Sequence, residues 1–168
     1  MPKKISGYRV MAMDGRSLVG FSPRYALRPQ DDTTTFGIVH KTIGGYVGVL
    51  LERGEFHDLA EWLRIGEPKV TFVKLTPFVR PRDETGTPVY VREIQKTQSQ
   101  FRIIDGQSAA QLSRHRDGRV KVSAWWLGSG SGRSAVMGRI GTQMLTDWVT
   151  DIDAKGWEGW RSGRAEEA

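Results

Sequence analysis

The chain has 168 residues, a net charge of +6, 38% hydrophobic and 26% charged residues, and no cysteine. That length fits one domain of the usual ~100–200 residues and buries enough surface to fold without a metal or a disulfide. The missing cysteines exclude disulfides, cysteine–zinc sites and thiol nucleophiles together, and no window approaches the ~18 consecutive apolar residues of a membrane span.

At the start, Met1-Pro-Lys-Lys-Ile-Ser-Gly7 carries charge with no apolar run behind it, so no secretory leader and a cytoplasmic location are expected. Tyr8–Met13 and Ser17–Phe21 flank Asp14-Gly15-Arg16, and Asp-Gly between two apolar runs predicts a hairpin because glycine accepts the positive φ of the turn. Residues 22–34, with Pro23, Pro29 and a polar Asp/Thr run, read as a long loop. A second hairpin is predicted from Thr35–His40 and Tyr46–Leu51 around Gly44-Gly45.

Phe56, Leu59, Ala60 and Leu63 recur at helical spacing, which predicts a short helix over 56–65 stopped by Gly66 and Pro68. Strands are predicted at 70–75, 89–94, 100–104 and 119–126, with 80–88 a turn-rich connector. Ala109–Leu112 fits either a short helix or a strand. Val136, Ile140, Met144, Trp148 and Ile152 lie four apart beside Met137, Leu145 and Val149, predicting an amphipathic C-terminal helix over about 134–152. The expected fold is therefore α+β: one domain over 1–153 built on a mainly antiparallel sheet of about six to eight strands, followed by a flexible tail at 154–168.

Charge is unevenly placed. Residues 1–89 carry net +3, residues 90–139 carry 9 basic and 3 acidic side chains (net +6), and residues 140–168 carry net −3. A basic middle points to an anionic partner, or to the acidic end folding back on it; it is equally compatible with a solvated surface that serves solubility.

The densest cluster is Arg114, His115, Arg116, Arg119 and Lys121, with Arg139 further on. By alternation, Arg119, Lys121, Ser123 and Trp125 share one strand face, while Val120, Val122, Ala124 and Trp126 share the other. Arg114, Arg116, Arg119, Lys121 and Arg139 suit phosphates, and Trp125 suits stacking on an unpaired base. The alternative for this strand is a solvated face with Trp125 packed under the last helix.

Ser129, Gly130, Ser131, Gly132, Arg133 and Ser134 lie between a strand and a predicted helix, an arrangement that aims backbone N–H groups and a helix N-terminus at one anion. Known phosphate-loop patterns fail here. A dinucleotide fingerprint lacks its following strand and acidic residue, a Walker loop lacks its first glycine and its lysine, and the serine-hydrolase elbow has glycine at the serine position. A hinge capped by serine is the plain alternative.

His40, His57 and His115 have no metal-ligand spacing. His57-Asp58 could form an acid–base pair, although a surface histidine near a helix start is the simpler account. No cofactor or metal is expected, and no nucleophile–base set is legible. Trp157 and Trp160 in the tail either fold back or anchor a partner. The leading expectation is a small, non-enzymatic basic protein contacting DNA, RNA or another polyanion through 114–139. The alternatives are a protein–protein module or homo-oligomer using the C-terminal helix and Trp tail, and, lower, an enzyme acting on a nucleotide or phosphorylated substrate at 128–134.

Overall fold

The structure, a computed structural model, describes residues 8–22, 33–42, 44–65 and 71–155. Chain order is a sheet followed by a helix, twice. Strands β1 (Tyr8–Met11), β2 (Ser17–Ser22), β3 (Thr33–His40) and β4 (Gly44–Glu52) lead into helix α1 (Arg53–Ile65). Strands β5 (Arg92–Lys96), β6 (Gln100–Asp105), β7 (Ser108–Arg114), β8 (Val120–Trp126) and β9 (Gly132–Val136) lead into α2 (Arg139–Lys155). Each group forms its own antiparallel sheet, with strands adjacent in sequence order. The α+β class and antiparallel pairing agree with the sequence reading; one sheet of six to eight strands does not.

The division between the sheets has a local cause at the β4 edge. Leu50 N–H donates to Asp105 Oδ2 at 2.9 Å, and Leu50 C=O accepts from Arg92 Nη2 at 2.8 Å. Side chains of the second sheet thus occupy groups that a neighbouring strand would otherwise use, which also protects an edge open to unwanted pairing. Arg92 is held in turn by Glu55 and, at 2.9 Å, by Asp105. Burial pulls the guanidinium pKa down, but Glu55 and Asp105 outweigh it and leave Arg92 above its ordinary value.

Both predicted hairpins form. Asp14 Oδ1 accepts from Arg16 N–H at 2.8 Å and Ser17 N–H at 3.2 Å, and Gly15 takes φ +71°. In the second hairpin, glycine does more than turn the chain. Gly20 faces Gly37, and Gly37 faces Gly48, a row across three strands. A Cβ on Gly37 would lie 2.2 Å from Val47 O, and one on Gly48 2.3 Å from Phe36 O. Only glycine admits that approach.

Helix α1 starts at Arg53, earlier than the apolar spacing suggested. Glu55 reaches back to accept Glu52 N–H at 2.8 Å, so a side-chain cap extends it one turn beyond Phe56. Three other expectations need correction. Residues 71–75 are extended but are not a strand, because N–H groups of Thr71, Val73 and Leu75 go to side-chain oxygens of Gln98, Ser99 and Gln100. The strand predicted at 89–94 is displaced to 92–96, because Pro88 and Val89 belong to a projecting turn bridged by Arg82 and Pro88. Residues 132–136 are β9, and α2 begins only at Arg139. Ala109–Leu112 resolves as strand within β7.

One continuous core draws on both sheets and both helices. Phe21 lies at its centre, with ring centroids 4.8 Å from Phe36, 4.8 Å from Phe56 and 5.6 Å from Trp148. Val120, Val122, Ala124, Leu112, Ala110, Phe101 and Ile103 supply the second sheet's inner face. Among the described residues, no helix is long and apolar enough to cross a membrane.

Candidate nucleic-acid interface

Strand β8 organises the candidate surface. Its register places Lys121 beside Ser113 and Val136, Ser123 beside Gln111 and Ser134, and Trp125 beside Ala109 and Gly132. These nine positions form the outward face of β7–β9, and none of them is acidic. Val120, Val122 and Ala124 are buried on the opposite face, whereas Lys121, Ser123 and Trp125 remain partly exposed. Alternation therefore places the strand faces as expected, with one exception. Trp126, assigned by parity to the core, is 40% exposed.

The outward face is polar and internally bonded. Arg102 Nε donates to Gln111 Oε1 at 2.8 Å, Gln111 Nε2 to Ser113 Oγ at 3.2 Å, and Ser123 Oγ meets Ser134 Oγ at 3.0 Å. Arg102 is itself buried, with its pKa lowered by desolvation, and Arg102 Nη1 donates to Thr76 O and Gln95 Oε1. The Arg102–Gln111 and Ser123–Ser134 contacts cross between neighbouring strands and tie the face together. Gly132 leaves room for Trp125: a Cβ there would lie 2.6 Å from Trp125 Cβ.

The cations divide into two groups. Arg116 is exposed, its guanidinium 4.6 Å from the Phe72 ring centroid. Arg119 Nε pairs with Asp117 Oδ2 at 2.7 Å, in a turn where backbone bonding from Arg119 holds the Asp117 pKa below the usual range. Lys121 points outward, and Arg139 is exposed at the start of α2. Val120 N–H donates to Thr142 Oγ1 at 3.1 Å and Met137 N–H to Val120 O at 2.9 Å, which brings the first turn of α2 to the start of β8. Arg116, Arg119, Lys121 and Arg139 therefore gather at one end of β8, with Trp125 near the other.

Arg114 and Arg133 do not join them. Arg114 is 7% exposed, on the inward row opposite Val120; its Nη2 donates to Trp62 O at 2.6 Å and its guanidinium lies 4.1 Å from the Trp62 ring centroid. Arg133 faces inward opposite Ala124 and reaches the β3–β4 hairpin, where a Cβ on Gly45 would lie 3.0 Å from Arg133 Nη2.

The strand–glycine loop–helix cradle is not built. Residues 127–131 are the turn of the β8–β9 hairpin, with Gly130 N–H bonded to Trp126 O, Trp126 N–H to Ser131 O, and Ser131 N–H to Ser129 Oγ. Gly130 supplies the positive φ the turn requires, +71°. Ser129, Gly130, Ser131, Gly132 and Ser134 are exposed, but α2 starts at Arg139 and aims no helix N-terminus at them.

His57 pairs with Asp153 of α2, Nδ1 to Oδ2 at 2.8 Å, and not with Asp58. That hydrogen bond raises the His57 pKa. Among the described residues, no group of three histidines or carboxylates could hold a metal. Trp157 and Trp160 lie outside the described residues.

A feature that the sequence did not reveal is a cleft of about 560 Å³ beside the β4 edge. Thr35, Tyr46, Gly48 and Leu50 form one side, on the face of the first sheet opposite Phe36 and Val47. Asp105, Gln107, Ser108 and Trp126 come from the end of the second sheet, and Arg80, Pro88 and Tyr90 from the projecting turn. The only sequence signal was the unusual inward row Arg92, Asp105, Ser108 and Trp126, too polar for a core. Compared with known proteins, the chain matches no family model and no curated sequence.

Proposed function

We propose that the protein binds single-stranded nucleic acid along the outward face of β7–β9. The supporting observation is that face itself: Lys121, Ser123 and Trp125 in one row, flanked by Gln111, Ser113 and Ser134, with no carboxylate among its outward positions. Cations and hydroxyls suit backbone phosphates, and an indole suits any base π-face, a combination that binds strands with little sequence preference. Arg116, Arg119 and Arg139 extend the positive end.

Arg114 serves the fold in this reading, and the 127–131 turn orients Trp125 and Trp126 without cradling an anion. Lys121→Ala weakens binding evenly across sequences and lowers the salt dependence by about one unit of slope; Trp125→Ala costs ~1–3 kcal/mol of strand affinity. Fluorescence anisotropy with a labelled oligonucleotide measures both.

A second reading, attachment to another copy of the chain or to a protein partner, is favoured by one observation. Ile140 and Met144, one turn apart on α2, are 79% and 50% exposed, with Met13 exposed beside Gly138. Contiguous exposed apolar side chains of this kind mark contact surfaces.

A further inference from the structure

The cleft beside β4 contains a group that the fold leaves unused. Arg80 Nε is buried with no hydrogen-bond partner, and Arg80 has no carboxylate partner among the described residues. Burying part of a guanidinium without compensation is costly, and an anion at that point would offset the cost. Ser108 is 5% exposed and lines the same cleft. The side chains of Gln107 and Trp126 bring an amide and an indole to the same cleft.

The remaining walls are aromatic. Trp126 is two-fifths exposed and Tyr90 two-thirds exposed. Tyr90 is fixed in place: its ring covers Gly106, where a Cβ would lie 2.4 Å from Tyr90 Cε2, and its hydroxyl donates to Asp105 Oδ1 at 3.0 Å. Arg92, Tyr90 and Leu50 N–H take up the Asp105 oxygens, which lessens its repulsion of an anion in the cleft. A volume of about 560 Å³ lies within the range of small-ligand sites.

We propose that this cleft binds one nucleotide unit, with Arg80 on its phosphate, its base against Trp126 or Tyr90, and Gln107 and Ser108 at the base edge. The ligand is a planar base carrying a phosphate, supplied either as a free mononucleotide or as an unpaired nucleotide of a strand. The site goes beyond the outward face of β7–β9, and does not depend on it. Trp125 and Trp126 are neighbours with opposite orientations at the end of β8, so a strand rounding the 127–131 turn reaches both.

The test follows the Trp126 indole N–H by NMR in the intact protein, assigned by its loss in Trp126→Phe. The titrants are a nucleoside monophosphate, the matching nucleoside, inorganic phosphate and a short unstructured oligonucleotide. Expected is a saturable Trp126 shift with the monophosphate, at least tenfold weaker binding of nucleoside and of phosphate alone, and at least a tenfold loss of monophosphate affinity in Arg80→Ala and Arg80→Gln. The two Arg80 variants should leave nucleoside affinity unchanged.

Lys121→Ala and Trp125→Ala should not alter monophosphate binding. If they abolish oligonucleotide binding while the Arg80 variants and Trp126→Phe change neither ligand, the cleft proposal falls and the face reading stands. If the monophosphate binds through Arg80 but no oligonucleotide binds, the cleft is a mononucleotide site and the face reading falls. No Trp126 shift with any titrant, or phosphate binding as tightly as the monophosphate, overturns the proposal.

Discussion

Arg114 shows how one side chain can belong to the right sequence cluster and the wrong face. It lies among Arg116, Arg119 and Lys121 in the chain, but β7 pairs it with Val120 on the inward side. There a guanidinium survives burial by donating to Trp62 O and stacking on the Trp62 ring. Arg114→Ala should therefore lower stability in urea by about 2–3 kcal/mol, from one charged hydrogen bond and one cation–π contact. The folded variant should keep its strand affinity; a loss of affinity without destabilisation would return Arg114 to the binding surface. Burial of Arg114 was not legible because Ala109–Leu112 fits helix or strand, so the parity of β7 could not be carried forward to residue 114.

Among the elements, both hairpins and both helices were legible, since Asp-Gly turns and apolar spacing are local signals. The β9–α2 boundary was not. Val136 falls in step with Ile140 and Met144, so periodicity extends the helix backward, but the ladder with β8 supplies hydrogen bonds that residues 132–136 take as a strand. Tertiary pairing overrode a helical period. Helix α2 is tied to α1 by His57 and Asp153. With its folded pKa raised above the ordinary 6.5, His57 contributes stability fully below the unfolded value, and that contribution is lost as pH rises through the folded pKa. His57→Ala should lower the melting temperature at pH 5.5, and the difference from wild type should shrink by pH 8.5. A difference that is flat or grows with pH contradicts the pairing.

At the scale of the molecule, antiparallel α+β architecture followed from many short strands with two helices, but the division into two sheets did not. That division depends on Arg92 and Asp105 reaching β4, a contact between residues some forty to fifty-five positions apart. The cleft was hidden for the same reason, since Arg80, Tyr90 and Trp126 meet only when both sheets are placed. The exposed Ile140–Met144 surface has its own check. If copies associate through it, sedimentation shows a concentration-dependent dimer or larger species that Ile140→Glu with Met144→Glu returns to monomer; a wild-type monomer at all concentrations removes association between copies.

The outward face of β7–β9 is the surface on which the proposed single-strand binding depends. Its most direct test is titration of the intact protein with a single-stranded oligonucleotide and its duplex at two salt concentrations, alongside Lys121→Ala and Trp125→Ala. The face predicts tighter binding to the single strand, affinity that falls as salt rises, and weaker binding in both variants. No binding, binding indifferent to salt, or variants indistinguishable from wild type would contradict it.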